Sequence, residues 1–361
     1  MPRRLAALVA AALPIATLTL LPTAAAQAAG DDQRPGRCPP SAVALHYSDA
    51  LDKVQQDGVT VGGLSSLAYD ARRSRWASTV DNDGTEPARI WFFRSLTDPT
   101  LAGQPLILRH RNGVPFTGET ADDEGLAILP GGRYVVSSET EPSIRIYGRD
   151  GREQASLPVP ALFGLAPAGQ ATSNATLEGL TLTPSGNRLI AAMEGTLSGD
   201  TGNGTYRRFL VYDRTAPHSF RLTKQIGYRV RAGYRVPEVA AYGESSMLVE
   251  EAAYDPANGN SVDLYAVTGL GSAPDVSRVG NLARASAGDI VHKRLVANLV
   301  RCPTLGAPAL EPQANPLLDN FEGMAITTPR LHGVGGVSLI SDDNFSAAQH
   351  TRLLDLLVRL P

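Results

Sequence analysis

The chain has 361 residues, with 33 basic against 36 acidic side chains and a formal charge of −3. It has neither a basic excess nor a run of Lys/Arg, so nothing recommends a nucleic acid or an acidic membrane surface as partner. A hydrophobic content of 43% excludes general disorder, and 35 Gly with 26 Pro make the chain turn-rich without reaching low complexity.

The first 26 residues read as an export signal. Arg3 and Arg4 form a positive start, Leu5 to Leu21 an apolar stretch, and Ala24 to Ala26 a small-residue cleavage site. Pro14 and the lack of a following positive stop argue against a retained membrane span. Cleavage removes two arginines and no acid, leaving −5. The mature protein is expected to be secreted and monomeric, without a membrane partner, beginning with a flexible segment over 27–37. Cys38 and Cys302 are the two cysteines, 264 residues apart. In an oxidising compartment an even pair predicts one disulfide, the alternative being two unrelated thiols.

Internal repeats dominate the rest. Asp123-Glu124-Gly125-Leu126-Ala127-Ile128, Leu177-Glu178-Gly179-Leu180-Thr181-Leu182 and Phe321-Glu322-Gly323-Met324-Ala325-Ile326 align directly. Each passes through a proline (Pro130, Pro184, Pro329) into a β-rich run that ends in acid: Glu139, Glu194 and Asp342-Asp343. Two weaker copies start at Ser65 and Glu238, so successive starts lie 59, 54, 60 and 84 residues apart. A unit of about 55 residues, built of short apolar strands joined by Pro-Gly and Ser-Gly turns, is the size of a four-stranded propeller blade. About 335 mature residues make six such blades, with the unaligned one in the widest gap. Leu353–Leu360 permits a helix or a strand; the strand is preferred because a propeller must close its ring. The expectation is an all-β fold, a single β-propeller over 38–361.

At these motifs the sequence resembles the bacterial phytase-like family, that of the esterase-like activity of phytase. The resemblance runs from Gly62-Gly63-Leu64-Ser65 and Asp81-Asn82 to Asn320-Phe321-Glu322-Gly323-Met324 and Ser341-Asp342-Asp343-Asn344-Phe345. The last two segments are its most specific elements. It implies an exported propeller loosely related to phytase, lactonase and strictosidine-synthase-type propellers.

The repeated glutamates carry the chemistry. Equivalent residues on the innermost strands of successive blades converge on the propeller axis, so Glu124, Glu178 and Glu322 should meet at one mouth of the channel. Converging carboxylates repel unless a cation neutralises them, and hard oxygen donors without His or Cys favour Ca²⁺. The expected metal set is Glu124, Glu178, Glu322, Asp342 and Asn344; Glu139, Glu194 and Asp343 are the candidate acid/base groups. The bland alternative, glutamates capping hairpins through backbone N–H groups, stays open. The six histidines are scattered, and no Gly-x-Ser-x-Gly elbow is present. Three functions compete: a calcium-dependent hydrolase of phosphate esters or other small esters, a non-catalytic binding propeller with structural calcium, and a lactonase-like enzyme.

Overall fold

The computed structural model describes residues 35–361. The expected signal over 1–26 lies outside the described residues, as does most of 27–37. Within that segment Gly36–Cys38 forms an edge strand, so the fold starts slightly before Cys38.

The fold is an all-β propeller with antiparallel blades. Blade 1 takes Ala68–Asp70, Arg75–Thr79 and Arg89–Arg94, with Thr100–Leu101 and Leu106–Ile107 both pairing to the third strand. Blade 2 runs Asp123–Leu129, Arg133–Ser138, Ser143–Tyr147, Glu153–Ser156, and blade 3 runs Leu177–Leu182, Arg188–Met193, Tyr206–Ala216, Ser219–Arg229. Blade 4 uses Val239–Gly243, Ser246–Asp255, Gly259–Thr268 and Lys293–Asn298. Blade 5 combines Phe321–Leu331, Val334–Ser341 and Leu353–Arg359 with the N-terminal strands Ala42–Ser48 and Gly36–Cys38. The strand assignment of the C-terminal segment holds, and it is this strand that receives the N terminus and closes the ring.

There are five blades rather than six. The 84-residue gap holds no unaligned blade. Its length goes into two excursions of blade 4, residues 269–292 and 299–320, whose only regular elements are 3₁₀ turns. Both are pinned by buried arginines. Arg208 donates to the carbonyls of Val276 and Val279, and Arg352 to those of Pro308 and Pro316. A sequence period cannot distinguish such ordered loops from a blade with weak strands.

The expected hairpin turns are present. Pro130-Gly131-Gly132 joins Leu129 to Arg133, with Gly131 and Gly132 at φ of +107° and +77°, a region L-residues rarely adopt. The repeated glycine serves a different purpose, which is to let neighbouring innermost strands touch. A Cβ on Gly125 would lie 2.5 Å from the Glu178 carbonyl oxygen, and one on Gly323 would lie 2.5 Å from the Ser66 carbonyl carbon. Between the blades the core is aliphatic and aromatic, as in the Leu126, Tyr134, Tyr147, Phe92 and Phe116 group of blades 1 and 2. Away from the acidic mouth the channel holds a cavity of about 270 Å³ whose lining includes Leu67, Leu126, Leu180, Val239 and Met324.

Cys38 and Cys302 form a disulfide, as the pair count predicted. It ties the outermost strand of blade 5 to the turn after the outermost strand of blade 4. Backbone bonds from Ser41 N to Val296 O (3.1 Å) and from Asn298 N to Pro39 O (2.7 Å) run alongside it.

Candidate acidic site at the channel mouth

Each blade offers three equivalent positions around the mouth, fixed by the bond that closes its inner hairpin. Asp81, Glu139, Glu194, Ala252 and Asp342 donate their N–H groups to the carbonyls of Gly63, Asp122, Thr176, Arg235 and Asn320, respectively. Two residues after each of these acceptors stand Ser65, Glu124, Glu178, Pro237 and Glu322. Hydroxyls lock the frame from blade to blade. Ser137 Oγ donates to the Glu178 carbonyl at 2.7 Å, and Thr79 Oγ1 donates to that of Glu124.

Side chains at these positions converge. Carboxylate oxygens of Asp81, Asp122 and Glu124 lie within 4.8 Å of one another, and so do those of Glu124, Glu139 and Glu178. Glu124 belongs to both trios. On the other side Arg235 Nη1 donates to Glu178 (3.4 Å) and Glu194 (3.0 Å), and Nη2 to Glu322 (2.8 Å) and the Asn320 side-chain oxygen (2.7 Å). Asp342 stands close enough that the charges of Glu322 and Asp81 act on it. Eight carboxylates thus share the mouth, and among the described residues Arg235 is the only side-chain cation paired with them.

Such crowding disfavours ionisation. Burial, followed by the Asp81 hydrogen bond and the charges of Asp81, Glu139 and Asp123, pushes Asp122 up to about 9. Glu139 rises to about 7 through burial and the charge of Glu194, opposed by the Thr176 N–H that it accepts. Glu124 and Glu178 are driven well above the carboxylate range, chiefly by burial and then by one another and their acidic neighbours. Two buried oxygens, Glu178 Oε2 and Asp122 Oδ1, have no hydrogen-bond partner. An all-oxygen, acid-rich donor set with unmet acceptors fits a hard divalent cation.

Not every expected residue joins. Asp343 is committed elsewhere: Oδ1 accepts from Gly63 N (2.9 Å) and Phe345 N (3.2 Å), while Oδ2 pairs with Lys53. Asn344 is exposed in a left-handed turn (φ 47°), and its amide donates to Gln349 at 3.1 Å. The Asp-Asp-Asn run therefore supplies one acid to the mouth, because the chain turns sharply after Asp342. Asp122 and Arg235 went unrecognised in the sequence. Asp122 is adjacent to a repeat that starts one residue later, and Arg235 precedes the weakest copy, where nothing distinguishes it from a solvated arginine.

A β-propeller with an acidic channel mouth is the class of protein that this fold and site define. Residues 59–345, well over half the chain, match the phytase-like family, described as esterase-like activity of phytase, and the chain belongs to it. No curated protein matches the sequence. Among solved structures it is similar to the PQQ-bound aldose sugar dehydrogenase from Streptomyces coelicolor, at 12% identity and TM-score 0.42, covering 90% of this chain and 94% of that one. It is also similar to the GH43 β-1,3-galactosidase BT3683 with galactodeoxynojirimycin, at 10% identity and TM-score 0.48, covering 84% and 92%. A third is the Kuenenia stuttgartiensis hydrazine synthase, at 12% identity and TM-score 0.38, covering 80% and 81%.

Proposed function

We propose that this protein is an exported, calcium-dependent hydrolase of phosphate esters or other small esters, with its site at the acidic mouth. The observation that carries this reading is the pair of carboxylate trios sharing Glu124, in which Arg235 bonds Glu178 alone. Glu124, Glu178, Glu139, Asp122 and Asp81 would hold the ion. Calcium bound there supplies charge neutralisation and Lewis-acid polarisation of an ester or phosphoryl oxygen. Glu139, a member of the Glu124–Glu178 trio whose carboxylate accepts from the Thr176 N–H, would be a ligand oriented by that bond. Glu194, paired to Arg235, stays an orienting carboxylate.

The test is a panel of phosphate monoesters, carboxylic esters and lactones, assayed with calcium and after chelation. Turnover that vanishes on chelation and returns with calcium supports the reading; lactone-only turnover makes the enzyme lactonase-like. One observation favours the second reading, a binding propeller with structural calcium: all four terminal N–H groups of Arg235 already have acceptors, so it offers no free cation to a phosphate. Calcium binding without turnover on any substrate class would decide for that reading.

A further inference from the structure

We infer that Arg235 stands in for a metal ion: it is a tethered cation that fills the blade 3 to blade 5 side of the mouth and confines divalent cations to the Asp81–Glu124–Glu178 side. The inference rests on the reading of the mouth as a cation site.

Blade 4 departs from the ring in a coordinated way. At the two positions where the other blades supply most of the carboxylates it carries Pro237 and Ala252. At the third position, occupied elsewhere by Gly, Asp, Thr and Asn, it alone carries a cation. The Arg235 backbone is held on both sides of Ala252, by N–H donation to its carbonyl (2.8 Å) and acceptance from its N–H (3.1 Å), so the guanidinium is aimed by the sheet. Three carboxylate oxygens and one amide oxygen surround its terminal nitrogens at 2.7–3.4 Å. That is a hard-oxygen set of the kind calcium accepts, occupied by a side chain.

On the opposite side the demand is unmet. Glu178 turns Oε1 to Arg235 while its buried Oε2 has no partner, and buried Asp122 Oδ1 has none either. Glu178 thus faces a guanidinium on one side and the Glu124–Glu139 trio on the other. A second positive charge on the Arg235 side would be repelled by the guanidinium, whereas the trio side is free to take one.

The test counts calcium ions by titration calorimetry on the full chain. Arg235→Ala vacates the oxygen set and should bind one more calcium ion than the parent. Arg235→Lys keeps the charge and should bind the parental number. If Arg235→Ala does not fold in chelator, added calcium should restore the parental circular dichroism spectrum, because the ion takes over the role of the guanidinium. The inference is overturned if Arg235→Ala binds the parental number, if Arg235→Lys also gains an ion, or if calcium fails to rescue an unfolded Arg235→Ala. A parent that binds no calcium sinks the proposed function separately; one calcium bound by Arg235→Ala alone would still uphold the stand-in role.

Discussion

A methyl group on Gly125 would press against the Glu178 carbonyl oxygen at 2.5 Å and Leu180 N at 2.6 Å, both backbone atoms that cannot rotate away. Gly125→Ala should therefore cost about 1–3 kcal/mol, the usual range for overpacking, read as a lower urea midpoint at unchanged m-value. An unchanged midpoint would mean that the innermost strands can slide apart at no cost. Glu178 stands between Arg235 on one side and the carboxylates of Glu124 and Glu139 on the other. Glu178→Gln keeps the shape and removes the charge. Calcium affinity should fall on the order of tenfold, since ligand charge sets affinity in oxygen sites, and the calcium-induced rise in Tm should shrink. Parental affinity in this variant would remove Glu178 from the site.

Innermost strands and the turns that follow their partners act together, since the hairpins of blades 2, 3 and 5 each deliver an acid from either strand. Their joint titration gives the metal-free protein a definite pH dependence. Asp122 and Glu139 sit above their unfolded values in the fold, at about 9 and about 7, because burial and neighbouring acids penalise the charge. Groups with raised folded pKa values contribute stability that is complete below the unfolded carboxylate range and lost as pH rises through the folded values. In chelator, Tm should fall steadily from about pH 5 to about pH 9. With saturating calcium the fall should flatten, because the ion replaces the protons. A chelated protein whose Tm does not change over this interval would show that these acids ionise without strain.

Closure at the scale of the whole ring depends on the N-terminal segment. It completes blade 5 through Ala42–Ser48 and hooks onto blade 4 through Ser41, Pro39 and the Cys38–Cys302 disulfide. A cross-link spanning 264 residues restricts the unfolded chain strongly. Replacing both cysteines by alanine should cost about 3–5 kcal/mol, measured by denaturant unfolding of the oxidised parent against the variant. A difference under about 1 kcal/mol would mean that the paired strands alone hold the ring shut.

The all-β propeller, the strand at the C terminus, the disulfide pair and the convergence of Glu124, Glu178 and Glu322 were legible in the sequence. All four follow from local signals: period-two apolar runs, turn glycines, a cysteine count and acids repeating in phase with the fold. Blade number was not legible, because ordered loops held by Arg208 and Arg352 lengthen one repeat by much of a blade while showing no strand pattern. Nor was the inner composition of the site. Asp122 enters the mouth because the hairpin of blade 2 closes on its carbonyl, and Asn344 leaves it because the backbone turns left-handed after Asp343. Arg235 is 235 − 178 = 57 residues from Glu178 and 322 − 235 = 87 from Glu322 in the chain, yet it bonds to both. A charge pattern along the chain specifies which acids repeat; only closure of the ring decides which single cation they meet, because that contact is made across blades and has no trace in local spacing.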